Sequence, residues 1–282
     1  MKLGEILRQV SPALVPPWFG LRCADSACVR GGGWAGRRSR GLKMEGAWYC
    51  SGECLEAAVR QRLSRLQPWT LLPRSYRVPL GLLLVARGQI SYEQVRQGLE
   101  AQRRAGRGRL GEWMQELGLA REEEVTAALA AQWGCPVFPL AGNRIPECAS
   151  LLPLALMERY GVLPVHYAAG RRDLYLGCAE RREHSMFYAV ERMLGCRTHA
   201  AVVGGKAMKE ILERLHQVAR PRELVFGNVR DPAERARITR SYAQRVGAEE
   251  VALTQAAELV WVRLSSVQGP TDLLFGSEGV RG

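Results

Sequence analysis

The hydrophobic positions between Pro79 and Gln132 follow one 24-residue pattern that occurs twice. The first copy reads PLGLLLVARGQISYEQVRQGLEAQ, and the second, which begins at Arg109, reads RLGEWMQELGLAREEEVTAALAAQ. An offset of 30 residues aligns the two copies without a gap. The matched pairs are Leu80 with Leu110, Gly81 with Gly111, Leu84 with Met114, Gly88 with Gly118, Val95 with Val125, Leu99 with Leu129 and Gln102 with Gln132. A self-match of this length predicts a duplicated structural unit.

Each copy predicts two helices joined at a glycine. Apolar residues four positions apart, such as Leu80 and Leu84, indicate a short first helix, and Gly88 follows its last turn as a left-handed cap. Ser91 and Gln94 form a capping box that starts the second helix, whereas the second copy has Arg121 in place of this serine and a less marked start.

A glutamine lies at the edge of the apolar stripe on the second helix of each copy. Gln102 shares a face with Val95 and Leu99, and Gln132 shares one with Val125 and Leu129. A buried amide needs a hydrogen-bond partner. The two glutamines therefore either flank a shared polar ligand or bind nearby loop carbonyls within a repeat that serves only for helical packing.

Downstream of the repeat the periodicity is mixed. The pattern predicts strands at Val162–Tyr167, Asp173–Cys178 and Arg197–Val203. It predicts a helix at Ser185–Leu194 and a closing helix at Lys206–Val218. The turn Val203-Gly204-Gly205-Lys206 lacks the first glycine and the final hydroxyl of a phosphate loop, so it is interpreted as a strand-to-helix turn.

The last segment predicts a small α/β module. Asp231 and Pro232 mark a helix start, and this helix is expected to reach Val246 and stop at Gly247. Strands are expected at Glu223–Asn228, Glu250–Thr254, Glu258–Leu264 and Thr271–Phe275. Nothing in the pattern distinguishes a protein-interaction or dimerisation role from plain packing.

Four of the eight cysteines are grouped as two pairs, Cys23 with Cys28 and Cys50 with Cys54. Two thiolate pairs separated by a glycine-rich stretch predict a tetrahedral structural zinc site, of the zinc-ribbon or treble-clef type. An amphipathic helix is expected to follow, with Leu55, Val59, Leu63 and Leu66 on one stripe. An iron–sulfur cluster is the alternative, although its usual spacings differ. The other four cysteines, Cys135, Cys148, Cys178 and Cys196, are interpreted as small apolar residues.

The net charge of +12 is concentrated at the N-terminal end, where residues 1–77 carry 13 Lys and Arg against 5 Asp and Glu. A basic metal-binding segment can contact nucleic acid or acidic proteins, or can be a solvated surface. The basic and aromatic candidates for such contacts are Trp34, Arg37, Arg38, Arg40 and Lys43. Because no nucleic-acid-binding motif accompanies them, the solvated surface is preferred.

The repeat resembles the MshE N-terminal (MshEN) family, also known as the N-terminal domain of GspE-class type II secretion ATPases, whose pattern is RLGxxLxxxGxLxxxxLxxxLxxQ. The second copy retains Arg109, Leu110, Gly111, Gly118, Leu129 and Gln132, and the first retains Leu80, Gly81, Leu84, Gly88, Ile90, Leu99 and Gln102. The first copy departs from the pattern at Pro79, which cannot replace an arginine in pairing with phosphate or a guanine edge. Arg77 is a candidate substitute.

This resemblance implies that two copies hold one cyclic di-GMP. The implied ligand-binding residues are Leu80, Gly81, Leu84, Gly88, Gln102, Arg109, Leu110, Gly111, Met114, Gly118 and Gln132. The phrase LLP…RYGVLPV, from Leu151 onward, is similar to the second half of the same family domain. Relatives carry an acidic turn after the second strand of that half, where this chain has Glu180-Arg181-Arg182-Glu183.

The expected fold is an α+β multidomain protein. Residues 1–75 form a small four-cysteine zinc finger, residues 76–218 an MshEN-like domain with helical repeats at 79–132 and an α/β half at 150–218, and residues 219–282 a C-terminal α/β module. Residues 68–79 are expected to form the linker into the repeat.

The expected function is non-enzymatic. The chain shows no nucleophile–base pair, paired carboxylates or open metal site, and it ends before the motor domain that the family's ATPases carry. The four histidines, His166, His184, His199 and His216, show no ligand spacing. No apolar run is long enough to span a membrane and no signal peptide is recognisable, so a cytoplasmic regulatory or adaptor protein is predicted. Its expected partners are secretion or pilus assembly components, and the alternatives are a zinc-dependent nucleic-acid-binding protein or a scaffold that uses the repeat only for protein interaction.

Overall fold

The computed structural model describes residues 23–29, 41–66, 77–140, 145–179, 183–218 and 220–276. The chain divides into two compact units. The first contains residues 1–66, 230–252 and 264–270, and the second contains residues 67–229, 253–263 and 271–282. This mixed α/β architecture confirms the predicted fold class.

The first unit begins with a β-hairpin of strands β1 (Leu42–Met44) and β2 (Ala47–Tyr49). Its two turn residues, Glu45 and Gly46, have φ values of 48° and 80°. Positive φ at both positions is typical of the two-residue turns that match the twist of paired strands. The hairpin delivers the chain to Cys50, directly before the first helix.

Helix α1 (Gly52–Ser64) starts at Ser51, whose hydroxyl accepts a hydrogen bond from the amide of Cys54. The predicted stripe is confirmed for Leu55, Val59 and Leu63, which are buried, while Leu66 lies beyond the helix end and is half-buried. These apolar side chains supply the core of the unit.

Helix α9 (Pro232–Val246) packs against α1 in the same unit. Asp231 caps it by accepting hydrogen bonds from the amides of Ala233 and Glu234, and Gly247 ends it with a φ of 60°. Both boundaries were predicted from the sequence. The Arg240 guanidinium binds the Glu56 carboxylate at 3.1 Å and thereby fastens α9 to α1.

The repeat in the second unit forms four helices, α2 (Leu80–Ala86), α3 (Tyr92–Ala105), α4 (Leu110–Glu116) and α5 (Glu122–Trp133). The predicted capping box at Ser91 and Gln94 is present. In the second copy the backbone amide of Arg121 donates to the Glu124 carboxylate at 2.8 Å. The missing serine is therefore partly compensated by an acid three residues into the helix.

The α/β half of the second unit starts with a 3₁₀ turn at Glu147–Leu151 and helix α6 (Leu154–Tyr160). A three-stranded sheet follows in the order β3-β4-β5, with β3 antiparallel and β5 parallel to β4. The elements are β3 (Val162–Ala168), β4 (Asp173–Cys178), α7 (His184–Leu194), β5 (Arg197–Val202) and α8 (Gly205–Leu215). Each matches its prediction closely, although α8 ends before the predicted Val218.

The remaining strands are β6 (Arg222–Phe226), β7 (Glu250–Ala256), β8 (Leu259–Ser266) and β9 (Gly269–Phe275). They belong to a sheet with the strand order β2-β1-β7-β8-β9-β6, in which β6 pairs in parallel with β9. A buried ion pair links β8 to β9 within the second unit. Arg263 donates two hydrogen bonds of 2.8 Å to the Asp272 carboxylate, and Trp261 donates to the same carboxylate.

Residues from 219 onward do not form a third unit in this division. Strand β1 pairs in parallel with β7 through Lys43 with Glu250 and Met44 with Val251. This pairing and the packing of α9 on α1 place residues 230–252 in the first unit with the cysteines. Residues 219–282 therefore fall partly in each unit, and the domain boundaries expected from the sequence stay predictions.

Candidate ligand and metal sites

The two repeat copies are joined by a crossed pair of glutamine hydrogen bonds. The side-chain amide of Gln102 in the first copy donates to the carbonyl of Gly108, just before the second copy, at 2.9 Å. The side-chain amide of Gln132 in the second copy donates to the carbonyl of Val78, just before the first copy, at 2.6 Å. Donors and acceptors are both 30 residues apart, so the helices obey a local pseudo-two-fold relation. Each glutamine binds a loop carbonyl, as one of the two sequence interpretations expected.

Two glycines allow the copies to pack closely. A Cβ atom on Gly81 would lie 2.8 Å from Val95 and 3.4 Å from Leu110. A Cβ atom on Gly111 would lie 2.9 Å from Val125 and 3.3 Å from Leu80. The glycine of each motif is therefore needed where its short helix meets the second helix of its own copy and the leucine of the other copy.

Leu84 and Met114 are completely buried between the copies. Met114 also approaches Gly98, where an added Cβ would lie 2.8 Å from its terminal methyl group. Gly98 was not predicted, because its matched residue in the second copy is Ala128 and no shared motif position marks it. Leu84 and Met114 thus have a packing role and expose no surface to a ligand.

The predicted binding residues that reach the surface of the repeat differ between the copies. Arg109 is exposed at the start of α4, and its backbone amide donates to the Glu112 carboxylate at 2.7 Å. The matched position at the start of α2 is Pro79. Leu80 and Leu110 are half-buried, whereas Gly88 and Gly118 adopt φ values of 67° and 65° after α2 and α4. The two glycines are therefore helix-ending turn residues, as predicted.

The four grouped cysteines come together in the first unit. Their sulfur atoms all lie within 4.8 Å of one another. The sulfur of Cys50 lies 3.5 Å from that of Cys28 and 3.9 Å from that of Cys54, and the four thiols are free. A tetrahedral zinc with Zn–S bonds of about 2.3 Å separates its sulfurs by about 3.8 Å. The donor set and spacing therefore fit a four-sulfur metal site.

Three local structures position these sulfurs. Asp25 closes the turn between Cys23 and Cys28 by accepting from the amides of Ala27 and Cys28, and the hairpin presents Cys50. Cys54 lies in the first turn of α1. This is the knuckle-and-helix arrangement that the sequence predicted.

The thiols of the cluster differ in how readily they ionise. Burial raises the pKa of the Cys50 and Cys54 thiols. Burial also opposes ionisation of Cys23, but hydrogen bonds that include the backbone amide of Cys50 hold the pKa of this thiol below its usual value. Because buried thiols resist deprotonation, a bound metal ion would be required to hold all four as thiolates at neutral pH.

The strand-to-helix turn that resembles a phosphate loop contains a carboxylate of the chain itself. Glu122, at the start of α5, accepts a hydrogen bond from the backbone amide of Lys206 at 2.8 Å. A Cβ atom on Gly204 would lie 2.9 Å from the same carboxylate. The turn thus serves to join the repeat to the α/β half, in agreement with its interpretation as a structural turn.

Several predicted features lie outside the described residues. They are the basic and aromatic residues Trp34, Arg37, Arg38 and Arg40, residues 68–76 of the expected linker, and Glu180–Arg182 of the turn after β4. Among the described residues, no helix has the length and apolar character required to cross a membrane.

Comparison with curated proteins finds similarity to the type IV pilus assembly ATPase PilB of Myxococcus xanthus (strain DK1622). The two are 29% identical over 160 residues, which is 55% of this chain but only 27% of the length of PilB. No family model matches the chain.

Solved structures with similarity include MshE with cyclic di-GMP, at 26% identity and a TM-score of 0.41, over 49% of this chain and 99% of that one. The N-terminal domain of XpsE is 22% identical with a TM-score of 0.37, over 48% of this chain and 92% of that one. The duplicated motif, with both its glycines and both its glutamines, and the sequence similarity to PilB support the resemblance of this chain to the MshE and GspE N-terminal family.

Proposed function

We propose that this chain is a non-enzymatic regulatory or adaptor protein whose repeat domain binds cyclic di-GMP. The main support is the crossed arrangement of the two copies, in which each glutamine binds the start of the other copy. A pseudo-two-fold pair of similar helix starts suits a ligand that is itself two-fold symmetric. MshE, one of the similar proteins, has been solved with this dinucleotide.

Arg109 would supply the charged contact, because a guanidinium can pair with phosphate or with a guanine edge. Leu80 and Leu110 would contact the ribose or base from the half-buried surface between the copies. Gly81 and Gly111 would contribute by letting the two helix starts approach each other. The side-chain amides of Gln102 and Gln132 would donate hydrogen bonds to the ligand, either in addition to their bonds to the loop carbonyls or in place of them.

Calorimetric titration of the full chain with cyclic di-GMP tests this proposal. Arg109→Ala is expected to weaken binding by roughly tenfold or more, because hydrogen bonds to charged groups contribute about 1.5–3 kcal/mol. Arg103→Ala is the control, since Arg103 is an exposed arginine in the last turn of α3 and is not one of the proposed binding residues. Equal affinities for the wild type and Arg109→Ala, with both folded, would remove the proposed role of Arg109. If the wild type does not bind cyclic di-GMP, the proposal that this dinucleotide is the ligand is refuted.

We also propose that Cys23, Cys28, Cys50 and Cys54 hold a structural Zn²⁺. The support is the closed four-sulfur geometry, which leaves no coordination position for a substrate. The ion would bind and stabilise the hairpin and α1, and it would supply no catalytic chemistry.

The proposed partners are components of secretion or pilus assembly systems, by analogy with the pilus assembly ATPase PilB. A second candidate function is a scaffold for such an assembly that binds no dinucleotide. Two observations favour it: the side-chain amides of both glutamines already donate to carbonyls of the chain, and Leu84 and Met114 are completely buried. The cytoplasmic location and the nucleic-acid alternative stay predictions.

A further inference from the structure

A cleft lies in the second unit beside the three-stranded sheet, away from the repeat positions discussed above. Its volume is about 340 Å³. One wall is the segment Pro136–Phe138, and the other side is formed by residues of β3, β4 and the turn between them, including His166, Arg171 and Tyr175. The volume falls at the lower end of the range typical of small-molecule sites.

Backbone hydrogen bonds fix the first wall. The amide of Val202 donates to the carbonyl of Pro136, and the amide of Phe138 donates to the carbonyl of Val202, both at 2.8 Å. Residues 136–138 are therefore attached to the edge of β5. Val137 remains 45% exposed and lines the cleft.

Aromatic rings form the second side. His166, Tyr175 and His199 lie opposite one another on β3, β4 and β5. The Tyr175 ring centroid lies 5.8 Å from that of His166 and 5.0 Å from that of His199. Although the pairing of β3 with β4 shifts register between Pro164 and His166, the pairing of His166 with Tyr175 and of Tyr175 with His199 holds the three rings in one row. This side of the cleft is therefore built before any ligand arrives.

The cleft is lined by one acidic and one basic side chain, Asp173 and Arg171. The carboxylate of Asp173 is bound by the Arg197 guanidinium at 2.9 Å and lies 3.4 Å from His199. Burial would raise the pKa of Asp173, but the hydrogen bond to His199 and the charge of Arg197 hold it below its usual value. The acid is thus already paired. Among the residues that the structure describes, none pairs with the Arg171 side chain, which lines the same cleft.

We propose that this cleft binds a small aromatic ring that carries an anionic group. Val137, Phe138 and the aromatic row provide the apolar contacts for the ring. The Arg171 guanidinium provides the cation for the anionic group. The site is independent of the proposed dinucleotide site, because it uses no residue of the repeat motif.

Histidine NMR signals of the full chain can test the site, because the chain has only four histidines. Three probes test separately whether the ligand needs an aromatic ring and whether it needs a negative charge. Benzoate has both, benzyl alcohol has only the ring, and acetate has only the charge. Benzoate is expected to shift the signals of His166 and His199 along one saturable curve, while His184 and His216 stay unchanged. Benzyl alcohol and acetate are each expected to bind at least about tenfold more weakly than benzoate.

Arg171→Gln is expected to reduce benzoate affinity by about tenfold and to leave benzyl alcohol binding unchanged. Arg222→Gln, at an exposed arginine of β6, is the matched control and should retain wild-type affinity. The proposal is overturned if benzoate at millimolar concentrations shifts neither His166 nor His199. It is also overturned if benzoate and benzyl alcohol bind equally, or if the two arginine variants behave alike.

Discussion

Single residues carry the contact between the repeat copies, and the glycine of each motif is the clearest case. The sequence placed Gly81 and Gly111 at matched positions, and the resemblance implied a ligand contact for them. The structure gives them a steric reason that needs no ligand, since a side chain on either would meet a valine of its own copy. The pattern predicted the positions but not the neighbours, because the packing partner depends on how the helices fold back on one another.

Gly111→Ala is expected to lower the free energy of unfolding by about 1–3 kcal/mol, because the new methyl group overpacks the contact with Val125. Urea denaturation measures the loss. Gly170→Ala is the control, since a Cβ there meets no atom within 4 Å, and it should change stability little. Unchanged stability of Gly111→Ala would show that α4 and α5 can separate without cost, and would contradict the steric role of this glycine.

Pro79 is the residue at which the two helix starts differ in chemistry. Its backbone, at φ −57° and ψ 141°, is extended like that of Arg109 at φ −116° and ψ 156°, so an arginine can adopt it. We expect Pro79→Arg to tighten cyclic di-GMP binding by roughly tenfold through a second cation at the matched position. The same charge placed one residue earlier, in Val78→Arg, should have a smaller effect. If both variants bind like the wild type, calorimetry would argue against a symmetric site.

Elements differ in how completely the local sequence determines them. Helix α9 was predicted with both ends because Asp231, Pro232 and Gly247 are local signals that act within one turn. The hairpin β1–β2 was not predicted, because each strand has only three residues and no recognisable alternation. Its geometry depends on the Glu45-Gly46 turn and on the cysteines that follow, so the metal site and the hairpin are expected to form together.

Metal removal is expected to disorder that element. Chelation, or Cys54→Ser, should release about one Zn²⁺ per chain and abolish the hydrogen-exchange protection of residues 41–66, since a small metal domain derives its folding energy from the ion. Cys148→Ser is the control, because Cys148 lies outside the cluster and should leave the metal bound. The affinity for Zn²⁺ should fall as the pH is lowered, since protons compete with the metal for the thiolates. Full protection of the hairpin after complete metal loss would contradict the structural role.

At the scale of the whole molecule, long-range pairing is what the sequence left undetermined. Local periodicity predicted nearly every element between residues 79 and 215. It did not predict that β1 pairs with β7, about two hundred residues away in the chain, because strand pairing over such a distance leaves no pattern in either strand. The division into units therefore differs from the order of the segments in the sequence.

The crossed glutamine bonds also bear on how this domain could have arisen. Gln102 binds a carbonyl only six residues further along the chain, whereas Gln132 binds one that lies 54 residues earlier, before the first copy. The bond of Gln132 therefore requires both copies. A peptide with a single motif would meet the same requirement by associating with a second molecule about a two-fold axis. Two motifs in one chain can also differ at a matched position, as Pro79 and Arg109 do at the two helix starts.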